Sequence, residues 1–207
     1  MVAALLSQLL VGACSVVGVR SGTPEPSATV IDQVGMVQIR RYDPVLVAET
    51  VVTGSEDDVR SEGFRRLAAY IFGRNVRHDL VGKTAATAQT SSETIAMTAP
   101  VAQTEAPGAA GRSWTIRFFL PAGMTQATAP KPLDARVVLV EVPARTMAVL
   151  RFSGLPTPAA VAAYSSRLDS LLAKGRWRPE GPSVAWFYDP PWTLPPFRRN
   201  EVARAVQ

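Results

Sequence analysis

Few side chains in this 207-residue sequence are of types that make or break bonds, and their spacing limits what they could do. His78 is the single histidine and Cys14 the single cysteine, which excludes a Cys/His zinc site, an intrachain disulfide and a Cys-x-x-Cys-His haem attachment. Ser91-Ser92-Glu93 sets hydroxyls beside a carboxylate, but there is neither a Gly-x-Ser-x-Gly elbow nor a glycine-rich phosphate loop. Glu49 could form an acid/base pair with Tyr188 if the fold joined them; strand alternation alone puts Glu49 on the solvent face. His78 is the obvious candidate for ligating iron, yet Arg74-Asn75-Val76-Arg77-His78-Asp79 reads as a solvated loop. Arg198-Arg199-Asn200-Glu201 reads as an ion-pair cluster opening the last strand, with a place at a ligand rim as the alternative. No catalytic constellation emerges, which leaves surfaces to carry function.

One surface stands out. Ser55, with Asp58 three residues on and acidic residues in the first turn, predicts the N-terminus of a helix that runs to Phe72 and stops at Gly73. At 100° per residue, Val59, Gly63, Phe64, Leu67, Tyr70 and Ile71 fall within about 140°, enough to face a core. Ala68 and Phe72 widen the apolar arc to roughly 220°, well beyond the stripe of ~100° that a surface helix needs. The extra edge, where Phe64, Ala68 and Phe72 meet Ser61, Arg65 and Ala69, predicts a second contact: a ligand, or a covering loop such as the one around Met97.

The remaining elements must position that helix. Strands are predicted at 36–40, 45–52, 114–120, 136–142, 146–152, 183–188 and 201–206. Residues 74–113 read as a long region of polar and small residues. A second helix starts at Thr157-Pro158, carries the stripe Val161, Tyr164, Leu168, Leu171 and Leu172, and ends by Gly175. A strand, a Gly/Ser turn, a helix and further strands occur twice, from Ala48 and from Ala148, which suggests internal duplication. The fold class expected is α+β: a distorted β-barrel or open sheet built from two such units and flanked by two helices.

Length and composition fit one domain, with residues 1–27 as an apolar N-terminal segment and linker and residues 28–207 as the domain. The balance of 22 Lys+Arg against 17 Asp+Glu gives +5, spread out except at Arg40-Arg41, Arg65-Arg66 and Arg198-Arg199. Such scatter argues against a nucleic-acid stripe and suits attraction of a small anionic ligand. The first 20 residues lack a positive start and read as a retained segment of a cytoplasmic protein, able to lie against a membrane. The alternative is a lipoprotein anchored at Cys14, through Val11-Gly12-Ala13-Cys14.

Three blocks resemble the SOUL haem-binding protein family in order and spacing. They are Tyr70-Ile71-Phe72-Gly73-Arg74-Asn75, then Ile95-Ala96-Met97-Thr98-Ala99-Pro100-Val101, then Tyr188-Asp189-Pro190-Pro191-Trp192 with Arg198-Arg199-Asn200-Glu201-Val202. The resemblance runs from about Ser15 to the C-terminus. It implies a tetrapyrrole, haem or another porphyrin, held non-covalently in a shallow apolar groove between the first helix and the C-terminal Pro-rich loop. Carried onto this sequence, the groove positions are Ser61, Phe64, Ala68 and Ala69 on the helix and Trp192 and Thr193 on the loop, with Phe72 extending the apolar edge. Basic residues that the family places near the propionates are replaced here by Ser61, Ala69 and Thr193; Arg65 or Arg60 would have to substitute. The family's proposed ligating histidine has no counterpart, so no strong protein ligand to iron and no metal site are expected. The function implied is tetrapyrrole binding or carriage without catalysis. A small-molecule-sensing module and an enzyme acting in the same groove are the alternatives.

Overall fold

Gly63 explains how the first helix sits. In the computed structural model, which describes residues 18, 22–78, 92–106 and 112–207, a Cβ added at Gly63 would lie 2.5–2.8 Å from Ile116 side-chain atoms. Only a residue without a side chain lets α1 (Glu56–Ile71) pack this closely on the strand beneath it. The Ser55 side chain caps α1 by accepting from the Asp58 backbone N–H, and Gly73 follows at φ 112°, a left-handed conformation that glycine adopts freely.

The strands are β1 (Ala28–Val34), β2 (Val37–Tyr42), β3 (Val45–Thr53), β4 (Asn75–Val76), β5 (Val101–Glu105), β6 (Ser113–Phe119), β7 (Lys131–Pro132), β8 (Val138–Val142), β9 (Arg145–Phe152), β10 (Pro179–Phe187) and β11 (Asn200–Val206). Nine form one antiparallel sheet in the order β1-β2-β9-β11-β10-β5-β6-β3-β8; β4 and β7 pair separately. The sheet is open, ending at β1 and β8, which corrects the barrel half of the expectation. About the central β5/β10 pair the order is symmetric: β6, β3 and β8 on one side answer β11, β9 and β2 on the other.

Register places both helices on one face. Cα partners run Ala48–Phe118–Val101–Phe187–Asn200–Phe152 from one half to the other. Ala48 and Phe118 belong to the core under α1, with Leu67, Tyr70 and Ile116. Phe152 belongs to the core under α2 (Pro158–Leu172), with Leu150, Leu168, Leu172 and Val202. The opposite face has its own cluster of Met147, Val149, Trp186, Tyr188 and Ala203, and among the described residues no helix contributes to it.

Two strands of the large sheet, β1 and β5, escape the sequence reading, as does the short β4–β7 pair, whose β4 falls in the stretch read as a loop before His78. β1 mixes polar and apolar residues as Ala-Thr-Val-Ile-Asp-Gln-Val and is largely exposed at the sheet edge, so it carries no alternation. β5 lies in the stretch read as polar and irregular, and it buries Gln103, whose amide accepts from Arg60 and donates to the Glu56 carbonyl. Residues 24–27 lie against the sheet: Ala99 N–H donates to the Pro24 carbonyl at 2.9 Å and Asp43 N–H to that of Ser27 at 3.2 Å. Apart from Gly18, the segment 1–20, with Cys14, falls outside the described residues, as does Ser91. Among the described residues no helix is long and apolar enough to cross a membrane.

Candidate functional site

The inward face of α1 is fully used, with Val59, Leu67, Tyr70 and Ile71 buried against β3 and β6. Its outer edge is not. Phe64 stays 39% exposed and Phe72 61%, while Ser61 and Arg65 are exposed and Ala68 and Ala69 half-buried. Phe64 stands edge-on to Phe118, with ring centroids 5.3 Å apart, so its base is fixed while the rest of the ring faces solvent. The block around Met97 does not cover this edge. Ile95 donates its N–H to the Ile71 carbonyl at 2.8 Å and packs into the core at the end of the helix. Ala99 and Pro100 are then buried at the entry to β5, and Met97 remains exposed.

The C-terminal loop between β10 and β11 is held by its own polar groups. Asp189 Oδ2 accepts from the Arg199 backbone N–H at 2.6 Å, and Thr193 N–H donates to Pro190 at 3.1 Å. Arg198 donates to the carbonyls of Thr193 and Pro191, and a short 3₁₀ turn spans Pro195–Phe197. The frame presents Trp192, 63% exposed, with Leu194 and Phe197. Thr193 is different: at 1% exposure it is part of the loop's interior and offers no surface. The loop and α1 meet the same turn after β9, since Gly154 N–H donates to Pro195 at 2.9 Å and Arg60 to the Pro156 carbonyl at 3.3 Å.

Of the two arginines considered as propionate partners, Arg60 is turned inward. Its guanidinium lies 4.4 Å from the Phe187 ring centroid and donates to buried Gln103 at 3.1 Å. Arg65 stays on the surface, 74% exposed in its side chain, and pairs with Glu62 at 2.8 Å. His78 is exposed beyond β4, away from the outer edge of α1 in sequence. The outer edge is therefore a partly apolar shelf with the Arg65–Glu62 pair at its rim and no histidine, cysteine or methionine among Ser61, Phe64, Arg65, Ala68, Ala69 and Phe72.

On the helix-free side lies a group the sequence hinted at only in part. Glu201, with 0% exposure, accepts from Arg40 at 2.9 and 3.1 Å, from Arg199 at 3.0 Å and from the Tyr188 hydroxyl at 2.8 Å. Burial pushes the Glu201 carboxyl up, but the Arg40 hydrogen bonds and the charges of Arg40 and Arg199 outweigh it and hold the group below its usual range. Burial, and then the Glu201 charge, push the Tyr188 hydroxyl well up. So Tyr188 takes Glu201 as its carboxylate, while Glu49 pairs with Arg117 across β3 and β6. The ion-pair reading of 198–201 holds, but Arg40, from a strand remote in sequence, was not legible as its partner.

The sequence pattern of the SOUL heme-binding protein family matches residues 23–204, all but the ends of the chain. The chain belongs to the SOUL family. No curated protein matches it. Among solved structures, this SOUL protein is similar to the EcmrR C-terminal domain, with a TM-score of 0.56 at 10% identity, covering 83% of this chain and 96% of that one. It is similar to an uncharacterized conserved protein from Listeria innocua, with a TM-score of 0.54 at 11% identity over 90% and 94% of the two chains. A protein described as a hydrolase from the same organism gives 0.51 at 11% identity over 91% and 94%. At such identities these likenesses establish the fold alone.

Proposed function

We propose that this SOUL protein binds a tetrapyrrole on the outer edge of α1, with the Pro-rich loop as the neighbouring wall. The observation that carries the reading is the exposure of Phe64 and Phe72 on a helix whose core face is already complete. Ser61, Phe64, Arg65, Ala68, Ala69 and Phe72 would line the shelf and Trp192 would close over the macrocycle. When bound, haem would supply the iron chemistry; these residues supply only a surface and a rim charge.

Magnitudes make this a carrier of modest affinity. Burying ~250 Å² of apolar surface contributes about 6 kcal/mol, against at least ~4 kcal/mol for association. A propionate–Arg pair adds roughly 1–3 kcal/mol when partly desolvated and less at an exposed rim such as that of Arg65. The sum, at most about 5 kcal/mol, corresponds to binding in the sub-millimolar range or weaker, suited to exchange rather than permanent retention. A non-catalytic role is supported by the state of Glu201 and Tyr188: the buried carboxylate accepts from the hydroxyl and is held by two arginines, which leaves it no oxygen free to act as a base. The symmetric strand order about β5 and β10 supports duplication of one strand-helix-strands unit.

Side-by-side titrations with haemin and metal-free protoporphyrin test the reading. Affinities equal within about threefold are expected if the macrocycle faces supply the binding. A large preference for haemin would mean that the iron is ligated and would overturn the shelf as the main source of affinity.

A further inference from the structure

The sheet face opposite the helices holds a cavity of about 200 Å³ that the tetrapyrrole reading leaves unused. Its walls include Tyr42, Phe119 and Trp186, with Tyr42 and Trp186 edge-on at 5.4 Å between centroids. An apolar cavity of ~150 Å³ is enough for a benzene ring, and drug-sized ligands need ~300 Å³ or more. The volume accommodates one aromatic ring with a small substituent and is too small to enclose a porphyrin.

Charge selects the substituent. Arg40 and Arg199 both line the cavity, and between them they face one buried carboxylate, Glu201. The surplus positive charge is met from the rim by Glu25, whose Oε1 accepts from Arg199 Nη1 at 2.8 Å. Glu25 belongs to the segment before β1 and its side chain is 37% exposed, so it is easily exchanged. It occupies the place on Arg199 that the carboxylate of a ligand would take. The Glu201 oxygens, by contrast, already accept from two arginines and a tyrosine and have little left for a cation.

We infer that this cavity is a second binding site, for a small aromatic monocarboxylate, with the ring between Trp186, Tyr42 and Phe119 and the carboxylate on Arg199 in place of Glu25. The site is independent of the shelf on α1. The arrangement suits a ligand that displaces the Glu25 side chain as it enters.

Calorimetric titration with benzoate, benzamide and benzamidine, three probes of one shape and different charge, tests the inference. Benzoate is expected to bind at least tenfold tighter than the other two. Glu25→Gln should tighten benzoate about threefold or more, because the competing carboxylate is gone. Ala28→Phe, at the cavity wall, should abolish benzoate binding and leave haemin binding unchanged, so failure here is distinguishable from failure of the shelf. Tighter binding of benzamidine, weaker benzoate binding in Glu25→Gln, benzoate binding that survives Ala28→Phe, or no benzoate binding at millimolar concentration would each overturn it.

Discussion

Arg40 on β2 reaches past β9 to Glu201 on β11 and meets both oxygens of this fully buried carboxylate, at 2.9 and 3.1 Å. The pair ties three strands on the helix-free face. Arg40→Ala strands a buried charge with Arg199 and Tyr188 alone, and a loss of about 3 kcal/mol is expected in urea unfolding. Retained stability would mean that Arg199 suffices.

Stability should depend on pH at both ends. Glu201 is held below its usual range, so its contribution is present above the unfolded carboxylate value, about 4.5, and is lost as pH falls below that. Tyr188 is raised, so its contribution is complete below the unfolded value of about 10 and is lost as pH rises beyond it. Melting temperatures between pH 3 and 11 should show a plateau with two falling limbs. Glu201→Gln should flatten the acid limb at the expense of the plateau.

Gly63→Ala drives a methyl group into Ile116, whose nearest atoms include the branched Cβ and cannot swing away. A cost of about 1–3 kcal/mol is expected by chemical denaturation, although alanine favours helices elsewhere. A neutral or stabilising result would show that α1 can lift from β6.

Trp192→Ala should leave the melting temperature nearly unchanged, since the ring is 63% exposed, while weakening haemin binding about tenfold. Unaltered haemin affinity would make Trp192 a bystander on the loop.

What the sequence disclosed follows from where each signal resides. α1 was legible from Ser55, Gly73 and the apolar arc, because caps and helical periodicity are local. The surplus apolar edge at Phe64 and Phe72 was legible for the same reason, and both residues are exposed. β1 was hidden because an exposed edge strand needs no alternating pattern. Arg60 and Thr193 were misplaced because whether a polar side chain turns in or out depends on Gln103, Phe187 and the loop frame, which come from elsewhere in the chain. The cavity beside Arg199 depends on β1, β2, β6, β10 and the segment at Glu25 meeting in space, and no single stretch announces that.

Haemin titration followed at the Soret band, on the natural sequence and on Phe64→Asp/Phe72→Asp, bears most directly on the shelf of α1. The natural protein should show a single saturable transition in the sub-millimolar range. The double variant, with circular dichroism unchanged, should bind at least tenfold more weakly. Superimposable curves for the two proteins would contradict the assignment of the tetrapyrrole to this helix edge.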